Sequence, residues 1–232
     1  MISAVCFDLD GLMFNTEHVF FEAGGVLLRR RGLEMTRGSM DAMLGRRPLE
    51  SFRSLCDYLN LQEEPADLLA ESRVIFEALL DQRLEPMPGL FEFLDYVESL
   101  GLPKGVATSS PRAYLEELLA RYQLRDRFMV TLTAEDVSLG KPNPEIYLKA
   151  ASLFGVQPQQ MMVLEDSQTG TRAGVAAGAQ VVSIPHEHTA GHQFDGATYR
   201  ATGLNDLKIR ELLSPAVSVT MRESTPGFSP KN

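Results

Sequence analysis

The chain has 232 residues, 44% hydrophobic and 23% charged, an ordinary globular composition that excludes a wholly disordered chain. Lys and Arg number 22 against 31 Asp and Glu, so the formal net charge is −9, which repels phosphate backbones and argues against a nucleic-acid partner. Two cysteines, Cys6 and Cys56, are too few for a disulfide scaffold, and no run approaches ~18 apolar residues, so no membrane span is expected.

The first residues show no basic stretch followed by a long apolar one, so a soluble, cytoplasmic protein is expected, and a monomer. Ile2 to Asp8 form a short, apolar, β-prone run that leads into Asp10-Gly11, the pattern of a buried strand ending at a glycine turn. Asp8 and Asp10 are two apart, so on a strand both leave the same face at its carboxyl end, where open α/β sheets bind ligands. Two crowded carboxylates repel unless a proton or a cation neutralises one, and Mg²⁺ is a hard cation that takes oxygen ligands. Asp-Gly by itself is equally a turn signal.

Residues 16–85 change texture. Leu55, Leu59, Leu61, Leu68, Leu69, Val74, Ile75, Leu79 and Leu80 recur at helical spacing among charges, and no strand is expected there. Gly24-Gly25 weakens the first of these helices, by about 1 kcal/mol per glycine against alanine. Pro86-Met87-Pro88-Gly89 closes the helical block.

Alternation follows. A helix over 89–100 precedes a strand at Val106-Ala107-Thr108, and a helix from Pro111 precedes a strand over 128–132. A helix from Pro144 precedes a strand over 161–164, a helix from Ser167 precedes one over 180–184, and a last helix spans 205–213. Such βα units signify a parallel sheet covered on both faces. The expected fold class is therefore α/β, a Rossmann-like parallel sheet with an all-helical insertion after its first strand. Residues 1–15 and 86–213 form the core, 16–85 the insertion, and 214–232, rich in Ser, Pro and Thr, a flexible tail.

A second acidic pair, Glu165-Asp166, stands at the end of the 161–164 strand, and Gly170, Gly174 and Gly178 then allow close packing of a helix face against the sheet. Thr108-Ser109-Ser110 offers a hydroxyl and backbone N–H groups at a helix start, which is anion-binding chemistry. Lys141 lies in Gly140-Lys141-Pro142-Asn143-Pro144-Glu145; Glu135 and Pro142 exclude a Walker A loop. A carboxylate nucleophile, Mg²⁺, a hydroxyl and an ammonium together describe a phosphoryl-transfer site.

Phe7-Asp8-Leu9-Asp10-Gly11, Thr108, Gly140 to Glu145 and Leu164-Glu165-Asp166-Ser167 with Gly170 resemble, in order, the four motifs of the haloacid dehalogenase-like superfamily. The insertion resembles its C1 helical cap, as in the beta-phosphoglucomutase and phosphoglycolate phosphatase branch. The resemblance implies that Asp8 is the nucleophile and Asp10 the general acid/base, with Thr108, Lys141 and the Ser109 amide holding the phosphoryl group. It implies Mg²⁺ bound by the Asp8 carboxylate, the Asp10 carbonyl and Asp166, with Glu165 acting through water. It further implies a cap that opens and closes at hinges near Asn15-Thr16 and Glu85-Pro86. Gly45, Arg46 and Arg47 fall where the family has its substrate-specificity loop and are expected to bind substrate. Asn15 stands where many relatives have Asp.

The expected function is a Mg²⁺-dependent phosphatase of a small phosphorylated metabolite, a sugar phosphate foremost, acting through an aspartyl-phosphate. Asp10 argues against dehalogenation, and all five lysines lie outside 16–85, which argues against a Schiff-base phosphonatase. A sugar phosphomutase is the alternative, although Phe20 stands where such relatives carry a cap histidine; His18 keeps that reading open. A non-catalytic binding or regulatory protein of the same fold is an alternative of another class. His186-x-His188-x-x-x-His192 lies outside the motifs and is expected to be an exposed polar segment, with transition-metal binding as its alternative.

Overall fold

The computed structural model describes residues 1–43 and 48–214. Gly45, Arg46 and Arg47 therefore lie outside the described residues, as does the expected tail beyond Ser214.

Among the described residues, six strands form one parallel sheet. They are β1 (Ala4–Phe7), β2 (Lys104–Ala107), β3 (Val130–Leu132), β4 (Met161–Glu165), β5 (Gln180–Ser183) and β6 (Tyr199–Arg200), in the order β3-β2-β1-β4-β5-β6. The period-2 alternation of β1 explains how one short segment serves two layers. Val5 and Phe7 enter the core beneath α5 (Leu90–Ser99), α6 (Arg112–Arg121) and α9 (Leu207–Leu213). Ala4 and Cys6 enter the opposite core, beneath α7 (Glu145–Phe154) and α8 (Gln168–Ala177). Burial pushes the Cys6 thiol up to about 12, so it packs as an uncharged apolar group.

Between β1 and α5 the chain forms α1 (Thr16–Arg29), α2 (Arg37–Met43), α3 (Pro48–Leu59) and α4 (Pro65–Arg83). No strand occurs among the described residues of this stretch. Its helices share a cluster that includes Leu27, Leu28, Phe52, Leu55, Leu68 and Ile75. α1 runs through Gly24-Gly25 despite their helix penalty; a Cβ on Gly24 would meet the Met35 side chain at 2.3 Å, so close packing overrides propensity. The two crossings between insertion and sheet lie side by side. Phe14 bridges Pro86, Asn15 N–H donates to Glu85 O, and Met87 N–H donates to Met13 O.

Two expectations change in detail. Gly178 does not line a face of α8 but ends it, with φ +81°, a left-handed cap that glycine adopts without strain. The edge strand β6 was not anticipated, because two residues, Tyr199 and Arg200, carry no readable alternation.

Strand order reverses between β1 and β4, since β2 and β3 continue on one side and β5 and β6 on the other. Ligands of open α/β sheets bind at such a switch point, outside the carboxyl ends of the strands. Phe7 is in register with Leu164 and with Val106, which brings Asp8 beside Glu165 and next to the turn at Thr108.

Candidate active site

Asp8 is buried directly after β1, with its N–H donating to Leu164 O at 3.0 Å. Lys141 reaches in from the loop before α7. Its Nζ donates to Asp8 Oδ1 at 2.5 Å, to Glu165 Oε1 at 2.6 Å and to Ala107 O at 2.9 Å. The loop is held for that purpose: Glu145 accepts from the Ser138 and Leu139 N–H groups, and its own N–H donates to Asn143 Oδ1. The two adjacent carboxylates raise the Lys141 pKa although desolvation opposes this, so the side chain is an ammonium.

Glu165, the last residue of β4, accepts from three protein donors. Oε1 also accepts from the Tyr147 hydroxyl at 2.5 Å, and Oε2 accepts from Ser167 Oγ at 3.1 Å. Ser167 caps α8 by accepting from Gly170 N. Gly170 is required by contact: a Cβ there would stand 1.9 to 2.0 Å from the Glu165 carboxylate.

Asp10 is held from the other side. Oδ1 accepts from Thr16 Oγ1 at 2.9 Å; Oδ2 accepts from Ser110 Oγ at 2.6 Å and from Thr108 Oγ1 at 3.3 Å. The Tyr114 phenol lies near the same carboxylate, and burial together with the Asp10 charge raises its pKa. The turn between Asp8 and Thr16 depends on Gly11, at φ +76°. A Cβ there would approach Asp166 Oδ2 to 2.7 Å and His186 Nε2 to 2.8 Å.

The structure thus brings Asp8, Asp10, Thr108, Lys141, Glu165 and Asp166 together at one rim of the sheet. Ser109 is exposed beside them. Several contacting residues were not read as site residues: Ser110 and Thr16 on Asp10, Tyr147 on Glu165, and Glu17, whose carboxyl is raised by burial and by Asp10. Ser110 was visible in the hydroxyl run; the others carry no local signal. The His186 segment corrects an expectation. It is not a bland exposed loop, because His186 and His188 side chains are each only 13% exposed and His186 Nε2 lies 3.0 Å from Asp166 Oδ2. The loop after β5 folds back over the strand ends, with His186 N donating to Thr189 Oγ1.

The acids make a strongly negative cluster. One ligand oxygen each from Asp8, Glu165 and Asp166 lies within 4.8 Å of the others, and all three residues are buried. Burial, reinforced by neighbouring carboxylates, raises the Asp8 and Asp166 pKa values well above the usual carboxylate range, while Lys141 opposes this. Three buried carboxylates against one ammonium offer a set of oxygen donors that fits a hard divalent cation such as Mg²⁺.

The haloacid dehalogenase-like hydrolase family model matches residues 5–184. The phosphorylated carbohydrates phosphatase of Thermotoga maritima is 30% identical over 77% of this chain and 83% of that protein. The bifunctional riboflavin kinase/FMN phosphatase of Arabidopsis thaliana is 27% identical over 90% of this chain, which spans 55% of that protein's length. Among solved structures, a HAD family hydrolase from Deinococcus radiodurans R1 with bound phosphate and sodium has a TM-score of 0.76 at 27% identity. That comparison covers 91% of this chain and 95% of the other.

Proposed function

The chain belongs to the haloacid dehalogenase-like hydrolase family, and on that footing we propose that it is a Mg²⁺-dependent phosphatase of a small phosphorylated metabolite, a sugar phosphate foremost. The observation that carries the reading is the Asp8–Lys141 pair at the sheet's switch point, with Asp10 and Asp166 flanking it. The relatives support the substrate class: one is a phosphatase of phosphorylated carbohydrates, and a similar structure holds phosphate.

Asp8 attacks phosphorus as the carboxylate, kept in line and partly neutralised by the Lys141 ammonium. The new bond runs from the Asp8 oxygen to phosphorus, the bond to the leaving oxygen breaks, and Asp10 gives that oxygen a proton. Asp10 then takes a proton from water, which attacks the aspartyl-phosphate, releasing phosphate and regenerating Asp8. Asp8, the Asp10 carbonyl and Asp166, with Glu165 behind them, would hold Mg²⁺, which would supply charge neutralisation for the phosphoryl oxygens. Thr108 and the Ser109 amide cradle those oxygens.

Thr16 begins α1 and orients Asp10, so the general acid is tied to the position of the helical insertion, which we read as a cap. Two buried cysteines without a disulfide accord with action in the cytoplasm. No helix among the described residues is long and apolar enough to cross a membrane.

The test is phosphate release from p-nitrophenyl phosphate and a panel of phosphorylated metabolites, with Mg²⁺ and with EDTA. Equal rates in both would end the reading, and isomerised product without phosphate would favour a mutase. Asp8→Asn should lower turnover by about 10⁴-fold or more while circular dichroism stays unchanged.

A further inference from the structure

Away from the acidic cluster, His18 of α1 meets Glu187 and His188 of the loop after β5. His18 Nδ1 stands 3.2 Å and His188 Nε2 3.4 Å from the same oxygen, Glu187 Oε1, and one ligand atom from each of the three residues lies within 4.8 Å of the others. Nitrogen and oxygen ligands at ~2.0–2.2 Å in a tetrahedral zinc site are about 3.3–3.6 Å apart, so the 3.4 Å separation matches and the 3.2 Å one is about 0.1 Å short. His188 Nε2 is buried and lacks a hydrogen-bond partner among the described residues. Its ring is fixed against Phe21, at 4.0 Å between centroids. His186, although adjacent, is already committed: Nε2 faces Asp166 and Nδ1 accepts from His188 N.

We propose that His18, Glu187 and His188 form a second metal site, separate from the acidic cluster and suited to Zn²⁺ in preference to Mg²⁺. Two imidazoles and one carboxylate are the donor set of zinc-class ions, whereas Mg²⁺ takes oxygen ligands. A fourth position remains for water. The ligands come from the helical insertion on one side and the sheet's loop on the other, so a bound ion clasps the two. On the reading that the insertion is a moving cap, a filled clasp holds it shut and slows turnover.

Zinc binding is to be measured by calorimetry in excess Mg²⁺, which competes for the acidic cluster, on wild type, His18→Ala and Glu187→Gln. Both substituted side chains are largely exposed, so folding is preserved; circular dichroism checks this. Wild type should bind one Zn²⁺, and each variant should bind it at least about tenfold more weakly. Zn²⁺ should raise the thermal midpoint of wild type and not of His18→Ala, while Mg²⁺ shifts both alike. Wild type without zinc binding, or variants that bind zinc as wild type does, would overturn the site. These arms need no enzymatic activity. In the phosphate-release assay, zinc inhibition that His18→Ala escapes supports the clasp; inhibition equal in both proteins would remove it.

Discussion

Replacing Gly170 with alanine sets two effects against each other. Gly170 lies in the first turn of α8, where alanine is favoured over glycine by at most about 1 kcal/mol. The added methyl, however, would stand 1.9 to 2.0 Å from Cδ and both oxygens of Glu165. Glu165 has no free direction to yield, because it accepts from Lys141, Tyr147 and Ser167. Moving it gives up at least one charge-assisted hydrogen bond, about 1.5–3 kcal/mol, and the overpacking adds about 1–3 kcal/mol. Less the helix gain, the expected net loss is about 1.5–5 kcal/mol. Urea denaturation followed by circular dichroism measures it. Mg²⁺-dependent phosphate release should fall at least about tenfold, since Lys141 loses one of its anchors. Gly191→Ala is the control: nothing lies within 4 Å of its added Cβ, and its stability should stay within about 0.5 kcal/mol of wild type. A Gly170→Ala protein as stable as wild type would refute the packing of Glu165 against α8.

Lys141→Met should destabilise the protein by about 3–5 kcal/mol near neutral pH, because buried carboxylates lose their counter-charge. The Asp8 carboxyl is held above its usual range, so it takes up a proton as pH falls, and the deficit should shrink toward pH 5 in denaturation experiments; a pH-independent deficit contradicts this. The same raised carboxyls on Asp8 and Asp166 retain protons that a cation must expel, so Mg²⁺ affinity should rise with pH. Calorimetry in buffers of different ionisation enthalpy should show proton release below neutral pH, and none if the acids are already ionised. Asn15 donates from Nδ2 to Arg83 O and accepts from Glu85 N, so Asn15→Asp keeps only the second bond. The loss should be about 0.5–1.5 kcal/mol, with faster amide exchange around residues 83–87; unchanged exchange would show that the first bond does not matter.

The sheet was legible because its rules are local. The short apolar, β-prone runs Ala4 to Phe7 and Met161 to Leu164 each name a strand, and acids that follow a strand fall at its carboxyl end. Lys141 and Thr108 were legible as partners of those acids, but which other side chains reach them was not. Thr16 and Ser110 reach Asp10, and Tyr147 reaches Glu165, only through the folded paths of α1, the loop before α6, and α7. Glu165 shows the difference most clearly: its place at a strand end beside Asp166 is readable in the sequence, but its contacts with Lys141, Tyr147 and Ser167 are not. The histidine loop was misjudged for the same reason, since only its return over the strand ends gives His186 a carboxylate to meet.

The paired crossing at Phe14–Pro86 and Asn15–Glu85 means that the long excursion leaves and rejoins the sheet through a single doorway. Nothing in the order of the strands depends on what lies beyond it. An excursion of another length or sequence can be spliced onto the same stalk without rethreading the layers beneath, and whatever recognition its surface provides is carried across as a cassette.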